Sequence, residues 1–481
     1  MSTVRLATDE AQWPQHTFVW REAGPETYRA LVGTVLAPPL WDVRYAMFEG
    51  DVAARAEEWR ITVDPTGNAR QVRHALPEAR PGARLASDSA RAIAERALAA
   101  TFGADPSAMK LVSSEQKDRP SRTDWTFTYA DPRIGVGKDG EARFIVTIAG
   151  DEVVATGRYV YVPETWLRAE REREGRNDTA RIAAALAFAL AAIAALGVAV
   201  RAWMRGHCDT HAALLTLAIA LAASAVGIAV MWPTFAFKLR TTEPVAWQVL
   251  LSVAGLMLAA TIGSLVVALT TGVGVWAARL RPRTPLAGRL PPWAGGAAAA
   301  LAVAGAGAAA ERLVPLDSPL WPSLAFAGAR WPWAAAALHG VGVLSTIGVA
   351  LFVLHLLDRV TASWTRRAWL AIAVVVALIA GIVAAKGSTG LDSVVAGGLV
   401  AGAIAGAVVY GVLRFDARTV PGYVVAATLI SAAEDAALDG TAAGWSEFAI
   451  YAAVVLATGW AVLRYIDRGS PPREPAAVPA T

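Results

Sequence analysis

The feature that most constrains this chain is a nearly continuous series of apolar runs from Ala180 to Tyr465. Only 17% of the 481 residues are charged, whereas soluble globular proteins carry about 25%, and almost all of the shortfall lies after residue 180. Runs of about 20 apolar residues are long enough to cross a bilayer as helices. The second half of the chain therefore predicts a polytopic membrane protein and not a soluble core.

Nine apolar runs are candidate membrane spans. They cover residues 182–200, 212–237, 246–278, 293–310, 334–357, 368–385, 393–413, 419–438 and 446–463. At about 1.5 Å of rise per residue, each can cross the roughly 30 Å of bilayer hydrocarbon. Several tryptophans, Trp203, Trp276 and Trp445 among them, fall near the ends of runs, as in an interfacial aromatic belt. The sequence thus predicts an α-helical polytopic membrane bundle of about nine transmembrane helices.

Residues 1–165 predict a small soluble α+β domain with an antiparallel sheet that precedes the bundle. The clearest signals are a helix over Ser87–Phe102, ended by Gly103, and a hairpin of Glu57–Val63 with Ala69–Ala75 around a Pro- and Gly-containing turn. Further strands are expected at Trp41–Phe48, Leu111–Glu115, Trp125–Tyr129, Arg143–Ala149 and Glu152–Val162, with a short helix around Pro25–Leu36. The helix followed by an antiparallel meander resembles a PepSY-like unit, which is a binding or inhibitory module in other proteins.

Two shorter segments complete the domain organisation. Residues 166–181 (WLRAEREREGRNDTAR) alternate Arg with Glu, a pattern typical of a solvated helix, and we interpret them as a charged stalk. The transmembrane helical domain then covers residues 182–465, and residues 466–481 are predicted to be a disordered tail.

The predicted soluble domain shows no catalytic pattern. His16 and His74 are isolated, and the pair Glu57-Glu58 lies on a strand beside Arg60, so we expect solvated surface residues. Cys208 is the single cysteine and cannot form an internal disulfide. The net charge of +4 and the pI near 9.3 do not indicate nucleic acid, because most Arg in the second half lies at the ends of apolar runs. The predicted partner is the lipid bilayer, with a protein or peptide partner for the soluble domain and no nucleic acid.

The distribution of Lys and Arg predicts the orientation in the membrane. With the soluble domain outside, the loops and tail assigned to the cytoplasm carry 14 Lys and Arg, against 5 in the outer loops. The positive-inside rule therefore favours a bacterial cytoplasmic (inner) membrane protein with an extracytoplasmic domain and a cytoplasmic C-terminus. Because MSTVRLATDEAQW has no apolar stretch, we expect an export anchor upstream of this sequence. The alternative is that the soluble domain is cytoplasmic, in which case the distribution of Lys and Arg violates the positive-inside rule.

Four residues of the apolar half are weak catalytic candidates. His339 and His355 lie 16 residues apart, or about 24 Å along one helix, so they cannot share a metal ion unless that helix is broken. Glu434 and Asp435 lie at the end of the eighth span, where an ordinary loop is the favoured interpretation. The sequence therefore predicts no catalytic residue, no cofactor-binding residue and no metal ligand with a recognisable spacing.

Two other patterns have simpler interpretations. His207 and His211 have a spacing of four residues, but they follow the first span in a short loop that we expect to be solvated. Gly398, Gly402 and Gly406 form a GxxxGxxxG series, which permits close helix contact within the chain or between subunits of an oligomer.

A family resemblance covers about Asp9–Arg181. The stretch EAGPETYRALVGTVLAPPLWDVRY, the hairpin EEWRITVDPTGNARQVRHALPE, the helix SARAIAERALA and the stalk after YVYVPETWLRAERERE together resemble the extracytoplasmic region of large bacterial CPBP proteins. These are the CAAX-protease and bacteriocin-processing intramembrane metalloproteases. The resemblance continues more loosely in the order of spans, and it implies an exported domain on a helical membrane core.

The catalytic motifs of that family are not present in this chain. The family uses EExxxR, FxxxH and a later histidine with HxxxN or HxxxD, whereas no Glu-Glu pair follows Glu58 here. The aligned segment Ser345–Ala350 (STIGVA) has neither acid nor arginine, and no histidine follows His355. The resemblance therefore implies a non-catalytic relative that acts as a binding, regulatory or sensor protein. The alternatives are an active intramembrane metallopeptidase with a non-standard site, or a membrane transporter.

Overall fold

A computed structural model of the chain divides it into an N-terminal sheet domain and a C-terminal helical part. The described residues are 2–7, 13–51, 54–64, 67, 69–281, 291–313, 318–324, 326–366, 368–369, 372–373, 375–376, 400 and 402–468.

One antiparallel sheet of eight strands forms the N-terminal domain, in the order β1-β2-β3-β4-β8-β7-β6-β5. The strands are β1 (Ser2–Ala7), β2 (Leu40–Ala46), β3 (Glu58–Val63), β4 (Ala69–Ala75), β5 (Lys110–Arg119), β6 (Arg122–Asp131), β7 (Glu141–Ala149) and β8 (Glu152–Tyr161). The helices of the domain are α1 (Trp13–Glu22), α2 (Gly24–Leu31) and α3 (Ser87–Phe102). The predicted antiparallel sheet is confirmed.

Helix α3 packs against one face of strands β6 and β7, because its small apolar residues recur every four positions. Ala90, Ala94 and Leu98 are fully buried against Phe127 and Val146 of the central strands. Gly103 ends the helix in the left-handed conformation, with φ of 61°, as a helix C-terminus commonly requires. The predicted bounds of this helix agree with the structure.

The sequence does not reveal the first two elements of the domain. Strand β1 has only six residues and pairs with β2 from Ser2↔Tyr45 to Ala7↔Leu40. Helix α1 buries Phe18 and Val19, which pack with helix α2 beside the end of β8. Both elements are too short to show a clear hydrophobic period.

The sheet consists of two four-stranded halves that meet at a single paired position, Arg73↔Ala155. His74 reinforces this seam, because its Nδ1 lies 2.6 Å from a carboxylate oxygen of Glu152 and its Nε2 lies 2.8 Å from one of Glu57. The imidazole stacks on Trp59 at 3.6 Å between ring centroids and is almost fully buried. The prediction that His74 lies on a solvated surface is therefore wrong.

One helix, α4 (Glu164–Met204), leads from the sheet domain into the helical part. It has 41 residues and includes both the predicted stalk and the first predicted span without a break. Its first turns belong to the domain, since Trp166 packs edge-on against Phe18 and Glu170 forms a 2.7 Å ion pair with Arg21. The predicted stalk is thus helical, and its beginning is packed against the domain.

The helical part continues with eight further helices among the described residues. They are α5 (Thr210–Val230), α6 (Trp232–Ala236), α7 (Val245–Leu280), α8 (Pro292–Leu313), α9 (Pro332–Val341), α10 (Val343–Val360), α11 (Thr419–Asp439) and α12 (Ala442–Arg468). Residues 402–408 are also helical and continue into a π-helical turn, Val409–Leu413.

Four helical segments within the described ranges are long and apolar enough to cross a membrane: Thr210–Val230, Val245–Leu280, Pro332–Val360 and Ala442–Arg468. In the most apolar window of Val245–Leu280 only 6% of the residues are buried inside the protein. Such an uncovered apolar surface requires an apolar surrounding. The predicted span at 368–385 lies largely outside the described residues and the one at 393–413 lies partly outside them, so the total of nine spans stays a prediction.

Small residues allow the helices to approach closely. A Cβ atom added at Gly274 of α7 would lie 2.7 Å from the backbone nitrogen of Phe352 in α10. Gly402 and Gly406 of the predicted glycine series face Val376 and Ile372 of the same chain, as expected for small residues at helix contacts. Gly398 lies outside the described residues, and a role of this series in an oligomer stays a prediction.

A polar cluster around Asp209 joins several helix ends at the face opposite the sheet domain. Asp209 caps α5 by accepting from the backbone N–H of Ala212 at 2.9 Å, and it also accepts from Arg279 and from the hydroxyl of Tyr465. The guanidinium of Arg279 lies 4.1 Å above the ring centroid of Tyr465. These contacts hold the beginning of α5 and the ends of α7 and α12 together.

Replacing Asp209 by Ala should lower the free energy of unfolding by about 2–3 kcal/mol, because it leaves the largely buried Arg279 without its anion and removes an N-cap. Chemical unfolding of the detergent-purified full chain measures the change. Glu434→Gln is the matched control, since Glu434 is exposed and has no ion pair among the described residues. Equal losses in the two variants would contradict a structural role for Asp209.

Candidate functional site

Three arginines share one face of the strands β1 to β3. Arg5, Arg44 and Arg60 occupy successive strands, and the register pairs Arg5 with Asp42 and Arg44 with Arg60. Because side chains alternate between the two faces of a strand, these positions all point to the same side of the sheet. Like charges on directly paired residues destabilise a sheet, so this arrangement requires compensating partners.

Arg44 binds the end of a helix in the other part of the protein. Its Nη1 donates to the carbonyl oxygens of Phe237 and Leu239 at 2.9 and 2.6 Å. Phe237 is the residue that directly follows helix α6, and the last carbonyls of a helix lack intrahelical partners. A cation is also favoured at this end of a helix. The sheet domain therefore docks by capping α6 with a buried guanidinium.

Glu58 supplies the anion that compensates Arg44 and Arg60. It accepts from Nη2 of Arg44 at 2.7 Å and from Nε of Arg60 at 2.5 Å. Burial alone would raise the pKa of Glu58, but the hydrogen bonds from the two arginines hold that pKa below its ordinary value. Glu58 is thus ionised at neutral pH, and the prediction of a solvated Glu58 is wrong.

A basic pocket of about 470 Å³ lies between this face of the sheet and the connection from α6 to α7. We call it the junction pocket; its lining residues are Arg5, Arg44, Arg60, Phe237, Lys238, Leu239, Arg240, Thr241 and Thr242. Its volume is typical of ligand-binding sites. Five of the lining residues are cations, so its electrostatic potential favours an anion.

The carboxylates around the junction pocket do not neutralise all of these cations. Asp42 pairs with Arg5 at 3.2 Å, Glu58 pairs with two arginines, and Glu243 pairs with Arg240 at 3.3 Å. Lys238 has no ion pair among the described residues. Three carboxylates thus face five cations, and the excess positive charge lies at the mouth of the pocket.

Two buried donors at the junction pocket have no partner within the described part of the chain: Nε of Arg5 and Nε of Arg44. The Arg5 guanidinium lies 4.3 Å above the ring centroid of Phe237, which fixes its plane beside the pocket. An unpaired buried N–H costs free energy, so these two guanidinium groups are held in place at some cost to stability. Guanidinium groups suit carboxylate and phosphate oxygens because their N–H groups form a planar fork.

A second contact joins the two parts through His16 of α1. The imidazole Nδ1 lies 2.8 Å from the hydroxyl of Tyr28, and the ring packs edge-on against Trp321, which precedes α9. Burial lowers the pKa of His16 to about 4, so this histidine is neutral at physiological pH. Tyr28 is buried beside it, and burial raises the pKa of Tyr28 to about 12. The prediction of a solvated His16 is therefore wrong.

The opposite face of strands β1 to β4 is apolar and exposed. Val4, Tyr45, Trp59 and Val72 lie on this face of four successive strands, and the register pairs Tyr45 directly with Trp59. Exposed apolar patches on a sheet commonly mark contacts with another protein. We call this surface the outer apolar face.

The structure does not bring the predicted catalytic candidates together. His339 lies on α9 between the rings of Phe326 and Tyr451, whereas His355 lies on α10 with its ring edge-on to Trp276. The single helix expected for both is divided at Gly342. No group of three or more His, Cys, Asp or Glu residues that could hold a metal ion occurs within the described ranges.

The two carboxylate candidates lie near the end of α11. Glu434 is exposed and Asp435 is half-buried, and neither has a hydrogen bond or ion pair in the described portion of the structure. His207, in contrast, is not simply solvated, since its ring stacks on Trp276 at 4.6 Å between centroids. His207 and His355 thus contact the same tryptophan, a proximity that the sequence does not reveal.

Comparison of the chain with protein-family models, with curated proteins and with solved structures found no match. The resemblance to the CPBP family therefore stays a prediction.

Sequence reasoning missed the junction pocket because its walls come from distant segments. Arg44 and Phe237 are 193 positions apart, and nothing in the sequence indicates that they meet. One signal was present: arginines alternate with apolar residues in STVRLA, LWDVRYA and EWRITV. Three neighbouring strands with the same alternation place a row of positive charge on one face.

The neutral state of His16 predicts a pH dependence of stability. The unfolded chain takes up this proton near the ordinary pKa of about 6.5, whereas the folded protein does so only near pH 4. The stabilisation is therefore complete above pH 6.5 and is lost as the pH falls towards 4, by about 2–3 kcal/mol. Unfolding of wild type and His16→Phe between pH 7 and 4.5 should show a weaker decline in the variant. A control, His211→Gln, should decline like the wild type, and parallel curves for all three proteins would exclude this role of His16.

Proposed function

We propose that this protein is a multi-pass protein of the bacterial cytoplasmic membrane that acts by binding, with an anionic ligand in the junction pocket. The ligand bridges the sheet domain and the connection from α6 to α7, and its presence changes how the domain is held on the membrane helices. The protein thus acts as a sensor or regulatory subunit. The observation that carries this proposal is the excess of cations around the buried Arg44, which itself bonds to both parts.

The membrane placement has separate support. The ends of α7 and α12 meet at the Asp209 cluster, while the connection after α6 and the segment around Trp321 meet the sheet domain. The two groups of helix ends thus lie on opposite faces, as in a chain that crosses a bilayer repeatedly. The apolar runs favour about nine spans, and the bias of Lys and Arg favours an extracytoplasmic domain and a cytoplasmic C-terminus.

A ligand in the junction pocket would contact residues that lie shortly before a membrane helix. Lys238 and Arg240 lie only a few residues before α7 begins at Val245. An anion that contacts them together with Arg5 and Arg60 draws this connection towards the sheet. The anion stabilises the docked arrangement only to the extent that it binds this arrangement more tightly than an undocked one.

The outer apolar face supports a partner for the sheet domain. It lies on the side of β1 to β3 opposite the junction pocket, so one half-sheet presents a ligand surface and a protein surface back to back. A protein bound there would be sensitive to movements of the half-sheet that the ligand holds.

The two rival functions lack comparable support. An intramembrane metallopeptidase with a non-standard site would need metal-binding side chains that lie close together. His339 of α9 and His355 of α10 instead pack against different aromatic residues. A transporter would need polar groups along a path between the two faces, whereas the described polar clusters lie at opposite ends of the helices. We therefore favour the binding function.

Anion binding can be tested on the detergent-purified full chain with inorganic phosphate as the probe. We expect phosphate to stabilise the protein against thermal unfolding in a saturable manner, by about 2.7 kcal/mol at one hundred times its dissociation constant. Chloride at equal ionic strength should give no saturable effect. The double variant Arg60→Gln, Lys238→Gln should bind phosphate at least about tenfold more weakly, because it loses two cations of the pocket mouth.

The matched control removes two exposed arginines elsewhere. Arg91→Gln with Arg168→Gln changes the net charge equally but leaves the junction pocket intact, so its phosphate titration should match the wild type. Identical titrations in all three proteins, or equal weakening in both double variants, would refute a specific anion site at the junction.

A further inference from the structure

A second pocket lies at the other end of the helical part, between α8, α11 and α12. It is an open groove of about 470 Å³, and we call it the helix groove. Its lining residues are Trp293, Ala297, Pro421, Gly422, Val425, Ala426, Leu429, Leu456, Gly459, Trp460, Leu463, Arg464 and Asp467. All but the last two are apolar, so the groove accepts a hydrocarbon and not a polar metabolite.

Glycines bring the helices around this groove into close contact. Gly422 of α11 packs directly on the backbone of Trp293 in α8. Gly459 of α12 is buried against Val425 of α11, and a larger residue at Gly459 would displace Val425. The groove therefore lies over three closely packed helices.

The sides of the groove are open to the surroundings of the helices. Trp293, Leu456 and Trp460 each expose more than half of their accessible surface. In a membrane these side chains face lipid, and tryptophans at such positions lie near the headgroup level. A ligand therefore reaches the groove from within the bilayer.

One end of the groove carries a cation. The guanidinium of Arg464 lies 4.8 Å above the ring centroid of Trp460, and in the described residues it has no carboxylate partner. Asp467, the other charged lining residue, forms a 3.6 Å ion pair with Arg418, which is also paired with Asp416. Arg464 is thus the lining cation that has no ion pair in the described residues.

We infer that the helix groove binds an anionic glycerophospholipid, with an acyl chain along α12 and the phosphate on Arg464. The apolar lining, the lateral opening and the guanidinium of Arg464, which has no ion pair in the described residues, each match one part of such a lipid. The groove lies at the face of the Asp209 cluster, which the bias of Lys and Arg assigns to the cytoplasm. This site is separate from the junction pocket and needs no ligand there.

Native mass spectrometry of the detergent-purified full chain tests this site. The protein is titrated with phosphatidylglycerol and with phosphatidylcholine of identical acyl chains. We expect tighter binding of phosphatidylglycerol to the wild type, and Arg464→Gln should remove about fivefold of this preference, since one cation near a lipid headgroup contributes about 1 kcal/mol. Ala426→Leu, which fills the groove, should weaken the binding of both lipids.

Two control variants separate this site from general lipid contact. Arg468→Gln removes an exposed arginine of the same helix end that does not line the groove, and Ala254→Leu enlarges an exposed residue of α7. Both should bind as the wild type does, and thermal unfolding verifies that every variant is folded. The inference is overturned if Arg464→Gln retains the full preference, if Arg468→Gln loses as much of it, or if Ala426→Leu binds both lipids normally.

Discussion

The buried guanidinium of Arg44 is the interaction on which the arrangement of the two parts depends. It is only 5% exposed, and a charge removed from water in this way costs several kcal/mol unless it is paired and hydrogen-bonded. Glu58 in the sheet supplies the anion, while the carbonyls of Phe237 and Leu239 supply the remaining acceptors. Separation of the two parts would leave Arg44 without two of its three hydrogen-bond partners and the end of α6 without its cap. The sheet domain is therefore a docked component of the protein rather than a loosely tethered one.

The same requirement explains why a cationic pocket can persist beside this contact. Arg44 and Arg60 are paired across two strands, an arrangement that repels unless an anion lies between the two side chains. Glu58 carries one negative charge against the two arginines, and Lys238 has no ion pair among the described residues, so the pocket keeps a net positive charge. Stability alone would favour more carboxylates at this position. Residues that conflict with local stability are expected where a protein performs its function.

Local sequence patterns predicted the bounds of helices and strands in the sheet domain more accurately than the burial and contacts of individual side chains. Helix α3 and strand β4 have the bounds that periodicity and turn residues indicate, because their signals lie within the elements themselves. The burial of His16 and His74 could not be predicted, since it depends on Trp321 and Glu152, which are distant in sequence. The junction pocket was hidden for the same reason, although the arginine alternation on three strands pointed to a charged face.

Helix α4 gives this architecture a mechanical property. Its first turns belong to the packed interior of the sheet domain, and its last turns place Ala199 and Ala202 against Val273 and Phe352 at the opposite face. With 41 residues and a rise of about 1.5 Å for each, it is a rod of roughly 60 Å. A tilt of the domain by a few degrees about the Arg44 contact would move the distant tip of this rod by several ångströms. The helix therefore couples a movement of the sheet domain to the far end of the helical part.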